Sequence, residues 1–182
     1  MKISKNRGFT LLEILIVVFI IGIVLSLVSL TIAPSEGRAL SQEAKRIYLL
    51  MEMTREEAIL NTQEMAFAVT GEGYAFQKFS AEGWQSLEDD SVLKERTLPE
   101  QIRMDLSILG EEVDLAGIEQ AEAEAQEGEE AEVSVLSRIF FLSSGEVTPF
   151  ELFLHYETEE DGMTIVGNEL GELELKEHKV TL

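Results

Sequence analysis

Glu13 is a carboxylate set inside an apolar run, where a charge is expensive to keep. It follows Arg7-Gly8-Phe9-Thr10-Leu11-Leu12, and behind it residues 14–33 carry no charge. An ionised carboxylate at membrane depth costs on the order of 2.5–3.5 kcal/mol on insertion scales, and less near a helix end, where it can reach the interface. One use for it is local. Thr10-Leu11-Leu12-Glu13 matches the S/T-x-x-E capping box, so Glu13 can accept a backbone N–H at the helix start. That use leaves room for a second one.

Other candidates for chemistry are sparse. His155 falls in a strand pattern opposite Phe150, Leu152 and Leu154, and is expected at solvent or a rim. His178 is expected in a charged turn beside Glu177 and Lys179. Neither histidine has a metal-ligand or nucleophile partner at a recognisable spacing. Ser143 and Ser144 precede Gly145 without the G-x-S-x-G elbow. Gly71-Glu72-Gly73 lacks the following helix and the lysine of a phosphate loop. Residues 111–132 are dense in Glu and Asp and hold no base, but they lack the fixed ligand spacing of a calcium loop. The expectation is no catalytic residue, no cofactor and no metal: a protein that is not an enzyme.

Charge narrows the partners. The 182 residues hold 14 Lys+Arg against 35 Asp+Glu, a formal charge of −21. No basic cluster is available to neutralise phosphates, so nucleic acid is excluded as a partner. There is no cysteine, which rules out disulfides and thiolate metal sites.

A bilayer core about 30 Å thick needs roughly 20 apolar residues as a helix, and residues 14–33 meet that length. Lys2, Lys5 and Arg7 precede the run with no acid among them. The positive-inside rule then puts Met1 in the cytoplasm and the later domain outside. A secretory signal peptide has a shorter apolar region, roughly 7–15 residues, and a small-residue cleavage site. Thr31-Ile32-Ala33 is a poor one. A plain membrane anchor fits the length and flanks but gives Glu13 no purpose beyond the cap.

Pro34 and Gly37 interrupt the helical pattern. Leu40, Ala44, Ile47, Met51 and Ala58 then fall on one helical face, with Glu43, Lys45, Arg46, Glu52, Arg55, Glu56 and Glu57 assigned to the remainder. The spacing predicts an amphipathic helix over 38–62. Joined to the apolar run it makes one long helix over about 9–62, roughly 80 Å at 1.5 Å per residue. From Met65 the period changes to two. Residues 65–70 and 74–79 read as a hairpin, and 102–108 alternate apolar and polar. Shorter strand signals lie at 84–87, 92–98, 133–142, 147–156, 163–166, 170–175 and 179–182, with a turn at 143–146. Like-charge density predicts a solvated insertion at 111–132. The chain is expected to be α+β.

Arg7-Gly8-Phe9-Thr10-Leu11-Leu12-Glu13 resembles the processing signature of type IV pilins and type II secretion pseudopilins. The resemblance implies cleavage after Gly8 on the cytoplasmic side by a prepilin peptidase, N-methylation of the new terminus Phe9, and an assembly role for Glu13. Cleavage makes a positive amine at Phe9. Glu13 can pair with the Phe9 amine of a neighbouring subunit, and a mis-registered subunit would leave both charges unpaired. A second resemblance covers the later domain. Residues 55–60, Gly73-Tyr74-Ala75-Phe76 and Leu142-Ser143-Ser144-Gly145-Glu146-Val147-Thr148-Pro149-Phe150-Glu151-Leu152 are similar to the minor pseudopilin H family of type II secretion.

That family implies a long N-terminal membrane-spanning helix, then a β-sandwich-like pair of antiparallel sheets. It also implies insertion in the inner membrane, a periplasmic domain, and assembly with major and minor pseudopilins at or near a filament tip. Such filaments help folded proteins cross the outer membrane. The implied division is a cleaved leader at 1–8, a transmembrane or filament-core helix at 9–33, its amphipathic continuation at 34–62, and a β domain at 63–182 with the acidic insertion at about 111–132. Two other readings share the N-terminus: a minor type IV pilin for adhesion or DNA uptake, and a membrane-anchored periplasmic binding domain that forms no filament.

Overall fold

The computed structural model describes residues 11–32, 36–87, 90–118, 135–157 and 161–178. The chain divides into two compact units, Met1–Ala39 and Leu40–Leu182. In the first, helix α1 covers Leu11–Ile32. Helix α2 covers Glu36–Asn61. The expectation of one long helix over 9–62 runs through residues 33–35, which lie outside the described set.

The second unit is built around the inward face of α2. Leu40, Ala44, Ile47, Leu50, Met51 and Ala58 are buried, as the three- and four-residue spacing requires. Thr54 is also buried, and its hydroxyl donates to the Leu50 carbonyl at 2.8 Å instead of seeking water. The helix ends where Thr62 takes a positive φ of 51° and Gln63 N–H donates to Ala58 O at 3.0 Å.

Two antiparallel sheets share the core with α2. Sheet A has the order β3-β2-β1-β7, with β4 also pairing β2: β1 is Met65–Thr70, β2 Gly73–Ser80, β3 Gly83–Ser86, β4 Arg96–Thr97 and β7 Val135–Phe141. Sheet B has the order β10-β9-β8-β5-β6: β5 is Ile102–Ile108, β6 Glu111–Val113, β8 Phe150–Tyr156, β9 Gly162–Gly167 and β10 Leu173–His178.

Register explains the core. Phe67 lies between Phe76 and Ile139, and Leu106 pairs with Leu152, which in turn pairs with Ile165. All of these are at most 1 % exposed. Burying a side chain of this size is worth about 1.5–3 kcal/mol, so the inner faces of both sheets and one stripe of α2 carry much of the stability. The mixed helix and antiparallel sheet architecture agrees with the α+β expectation.

Several local expectations need correction. The acidic stretch does not begin as a solvated loop. Glu111–Val113 is β6, added to the edge of β5 through the pairs Leu106–Val113 and Ile108–Glu111. Leu109 and Gly110 make the intervening turn with φ of 54° and 82°. Positive φ at both central residues is the geometry that matches strand twist in a two-residue hairpin, and a leucine there gives little warning of it. Val113 packs on the core while Glu111 and Glu112 stay exposed, so the acids are tolerated. The strand expected at 92–98 shrinks to Arg96–Thr97, because Asp90 accepts the backbone N–H of Val92 and Leu93 and turns the chain. Those two bonds hold the Asp90 carboxyl below its usual range. His178 ends strand β10 and does not occupy a turn. The strand signal at 179–182 and most of 111–132 lie outside the described residues.

Candidate assembly site

The first unit offers an unusual surface. Glu13 stands in the first turn of α1 and is exposed. Leu11, Leu12 and every residue from Ile14 to Ile21 are exposed apolar side chains, from Val17 at 43 % to Leu11 at 84 %. Eight consecutive apolar residues cover every side of a helix, so over Ile14–Ile21 α1 has no polar face to turn to water. Gly8, Phe9 and Thr10, and so the cleavage point, the methylated terminus and the cap residue, lie outside the described residues. Side chains of α1 are described for 11–22, about 18 Å of helix. Among the described residues no helix is long and apolar enough to cross a membrane.

In the second unit, Glu43 is a residue whose place the sequence reading misassigned. It is 5 % exposed, on the buried side of α2. The signal was available: Glu43 stands three residues after Leu40 and four before Ile47, within the apolar stripe. Its carboxylate accepts a hydrogen bond from the Tyr74 hydroxyl at 3.0 Å and from Arg46 at 2.6 Å. Burial pushes the Tyr74 phenol up from its ordinary value, and the adjacent Glu43 charge and hydrogen bond add to that. The group therefore stays a neutral donor, as the buried carboxylate requires.

Arg55 makes the second polar anchor. One Nη donates to the Gly171 carbonyl at 2.6 Å, and the other pairs with Glu52 at 2.9 Å. Gly171 has a φ of +79°, and a Cβ there would collide with the carbonyl oxygen of Gly145. Ile59 lies beside Gly145. The turn at 143–146 and the turn at 168–171 thus meet against the last two turns of α2. The signature around residues 142–152 codes this junction: Gly145 N–H donates to Leu142 O at 2.9 Å, and Val147 bridges Phe141 before β8 begins.

The two sheets present very different outer faces. On sheet A, Trp84 lies between Phe79 and Phe140, with ring centroids 5.2 and 5.4 Å away. Arg138 Nε donates to Gln77 Oε1 at 2.8 Å, reaching across β1 over Ala66 and Ala68. On sheet B, Phe153 stacks on His155 at 5.0 Å and meets the edge of His178 at 5.4 Å. His155 Nε2 lies 3.0 Å from Asp105 Oδ2. The histidine sits on the outer face as expected, although it is only partly exposed. No group of His, Asp and Glu able to hold a metal occurs among the described residues.

A family model for the prokaryotic N-terminal methylation motif matches residues 3–29. A second, for type II transport protein GspH, matches residues 43–171, well over half of the chain. The chain belongs to the type II transport protein GspH family. Type II secretion system protein H of Aeromonas hydrophila is 26 % identical over 180 residues, covering 96 % of both chains. That of Pseudomonas aeruginosa is 30 % identical over 152 residues, covering 82 % of this chain and 83 % of the relative. Crystallised minor pseudopilin EpsH of the Vibrio cholerae type II secretion system is 26 % identical, with a TM-score of 0.60 over 81 % of this chain and all of that one. The family match takes in most of α2, all of sheet A, sheet B except β10, and the 143–146 and 168–171 turns. This GspH protein is therefore a minor pseudopilin of a type II secretion system, a structural subunit.

Proposed function

We infer that the two units serve two successive environments. The N-terminal unit is inserted in the inner membrane with Met1 in the cytoplasm and the sheet domain in the periplasm. A prepilin peptidase cuts after Gly8, and N-methylation of Phe9 keeps its amine positive. The apolar helix then leaves lipid and packs into a periplasmic filament with other major and minor pseudopilins, which helps folded proteins cross the outer membrane. The observation that carries this is the run of exposed apolar side chains from Ile14 to Ile21 on α1, directly behind Glu13. A helix apolar on every side needs lipid or other helices around it. The sequence from Ile14 to Ala33 carries no charge and has the length a bilayer span needs.

Glu13 supplies the register in this reading. In a helix-packed interior its charge is costly unless an amine meets it, and the Phe9 amine of a neighbour is the cation that cleavage creates. Mass spectrometry of the mature N-terminus tests the processing: methyl-Phe9 is expected, and a retained Met1 would overturn it. Glu13→Ala tests the register role. Its entry into the assembly is expected to fall at least tenfold while the peptide after Gly8 is still released. Entry at the wild-type level would remove Glu13 from the mechanism.

A further inference from the structure

This chain carries 35 acids against 14 bases, yet the outward strand positions of β1, β2, β3 and β7 hold no carboxylate. Their charged group is Arg138. The corresponding positions of sheet B include Asp105, Glu112, Glu151 and Glu174. Among the described residues the acids are therefore not spread evenly; the outward positions of these four strands hold none. That face also holds the aromatic row Phe79, Trp84 and Phe140, with Phe79 47 % and Phe140 36 % exposed. Arg138 is half-buried beside it. Its Nε is used by Gln77, and its Nη donors have no acceptor among the described residues.

We propose that the outer face of sheet A docks another subunit of the filament, one of different sequence, whose contacting surface is apolar and presents a carboxylate to Arg138. Covering a guanidinium without an acceptor would cost more than the aromatic contacts return, so the occupant must bring one. A carboxylate matches the fork of the two Nη groups and would be held bidentately. A second copy of this chain fits poorly. It would set Arg138 against Arg138 on a face-to-face contact and bring two strongly negative chains together. A lipid surface fits poorly as well, because anionic headgroups repel a chain of this charge and one arginine recovers only about 1 kcal/mol. A face whose described strand positions carry no acid lets a highly negative subunit approach its neighbours in one orientation, with charged surface elsewhere repelling wrong ones.

The proposal rests on the filament reading, and the two can be tested apart. Full-length protein in its native cells would carry a photo-reactive benzoyl-phenylalanine at Phe79 or Phe140, with Phe153 on sheet B as the reference position. Both sheet A positions are expected to cross-link one membrane-anchored chain of different sequence with its own methylated N-terminus. Phe153 is expected to give at least tenfold less. Arg138→Glu is expected to lower the sheet A yield at least tenfold, and Arg138→Lys to lower it less. Thermal unfolding of the detergent-solubilised variants confirms that they fold. Cross-links to a second copy, to lipid alone, or equally from Phe153 would overturn the docking face, as would yields indifferent to Arg138→Glu. Methyl-Phe9 with no sheet A cross-link sinks only the docking face. Retained Met1 with the cross-link present sinks only the filament reading.

Discussion

The outer faces of the two sheets differ more than their inner faces do. Inside, both sheets contribute phenylalanine, tyrosine and isoleucine to one core with α2. Outside, sheet B is covered by charges and by Phe153, which is held between His155 and His178. Sheet A instead shows three aromatics and a single arginine. Sheet B solvates its surface and fixes it locally: Gly162 leaves room for the Phe153 ring, since a Cβ would stand 2.7 Å from its Cζ. Sheet A leaves its apolar groups partly in water. The lesson is that burial patterns within strands determine stability, while the pattern of charge on the reverse side determines association.

The strongest way to break this contrast is to exchange inner for outer. Phe67→Ala, on the inner face of sheet A, should cost about 3–5 kcal/mol, read as a lowered denaturation midpoint of the solubilised full chain. Phe79→Ala, on the reverse face, should cost less than about 1.5 kcal/mol, since it loses one aromatic contact and little burial. Equal losses would erase the distinction between core and docking surface.

Gly162→Val tests whether sheet B fixes its own surface. It must displace Phe153, and overpacking of this kind costs about 1–3 kcal/mol. Nuclear magnetic resonance should show shifted His155 and His178 ring signals, and unmoved rings would contradict the packing.

Tyr74→Phe sharpens the inner side. It removes a donor from buried Glu43, a loss of about 1–3 kcal/mol. Its pH dependence carries the sign. Tyr74 is raised in the folded chain above its ordinary value of 10.0. The stability it contributes is thus full below pH 10 and is lost as pH rises beyond it, because the unfolded phenol ionises first. Denaturation midpoints from pH 9 to 11.5 should fall more steeply for the wild type than for Tyr74→Phe. The smallest effect belongs to His155→Ala. Its partner Asp105 is largely exposed, so the pair should contribute less than about 1 kcal/mol at neutral pH. A larger loss would mean that the outer face of sheet B is itself part of the core.

Much of the fold was legible in the chain. Spacing of three and four gave the buried stripe of α2, the Gly71-Glu72-Gly73 loop between two strand-like runs gave β1 and β2, and alternation gave β5 and β8, which each have one face in a core. β6 was hidden because two of its three residues are acids on an edge, where the backbone ladder decides the conformation. Glu43 was misassigned because residue type was weighed above position in the stripe. Arg55 looked like an ordinary helix charge until its partner, Gly171, was in view.

For association, the sequence by itself determined the apolar run, the carboxylate at residue 13 and the Gly8-Phe9 motif on which the proposed processing rests, since those depend on local order along the chain. It also determined the family, through residues at fixed spacing. Only tertiary structure decided that the four acid-free strands β1, β2, β3 and β7 share one sheet, that Phe79, Trp84 and Phe140 form one row with Arg138, and that Glu43 meets Tyr74. Those residues are up to 61 positions apart, counting Gln77 to Arg138. Strand pairing and register bring them together, and no local pattern in the chain encodes which strand lies beside which.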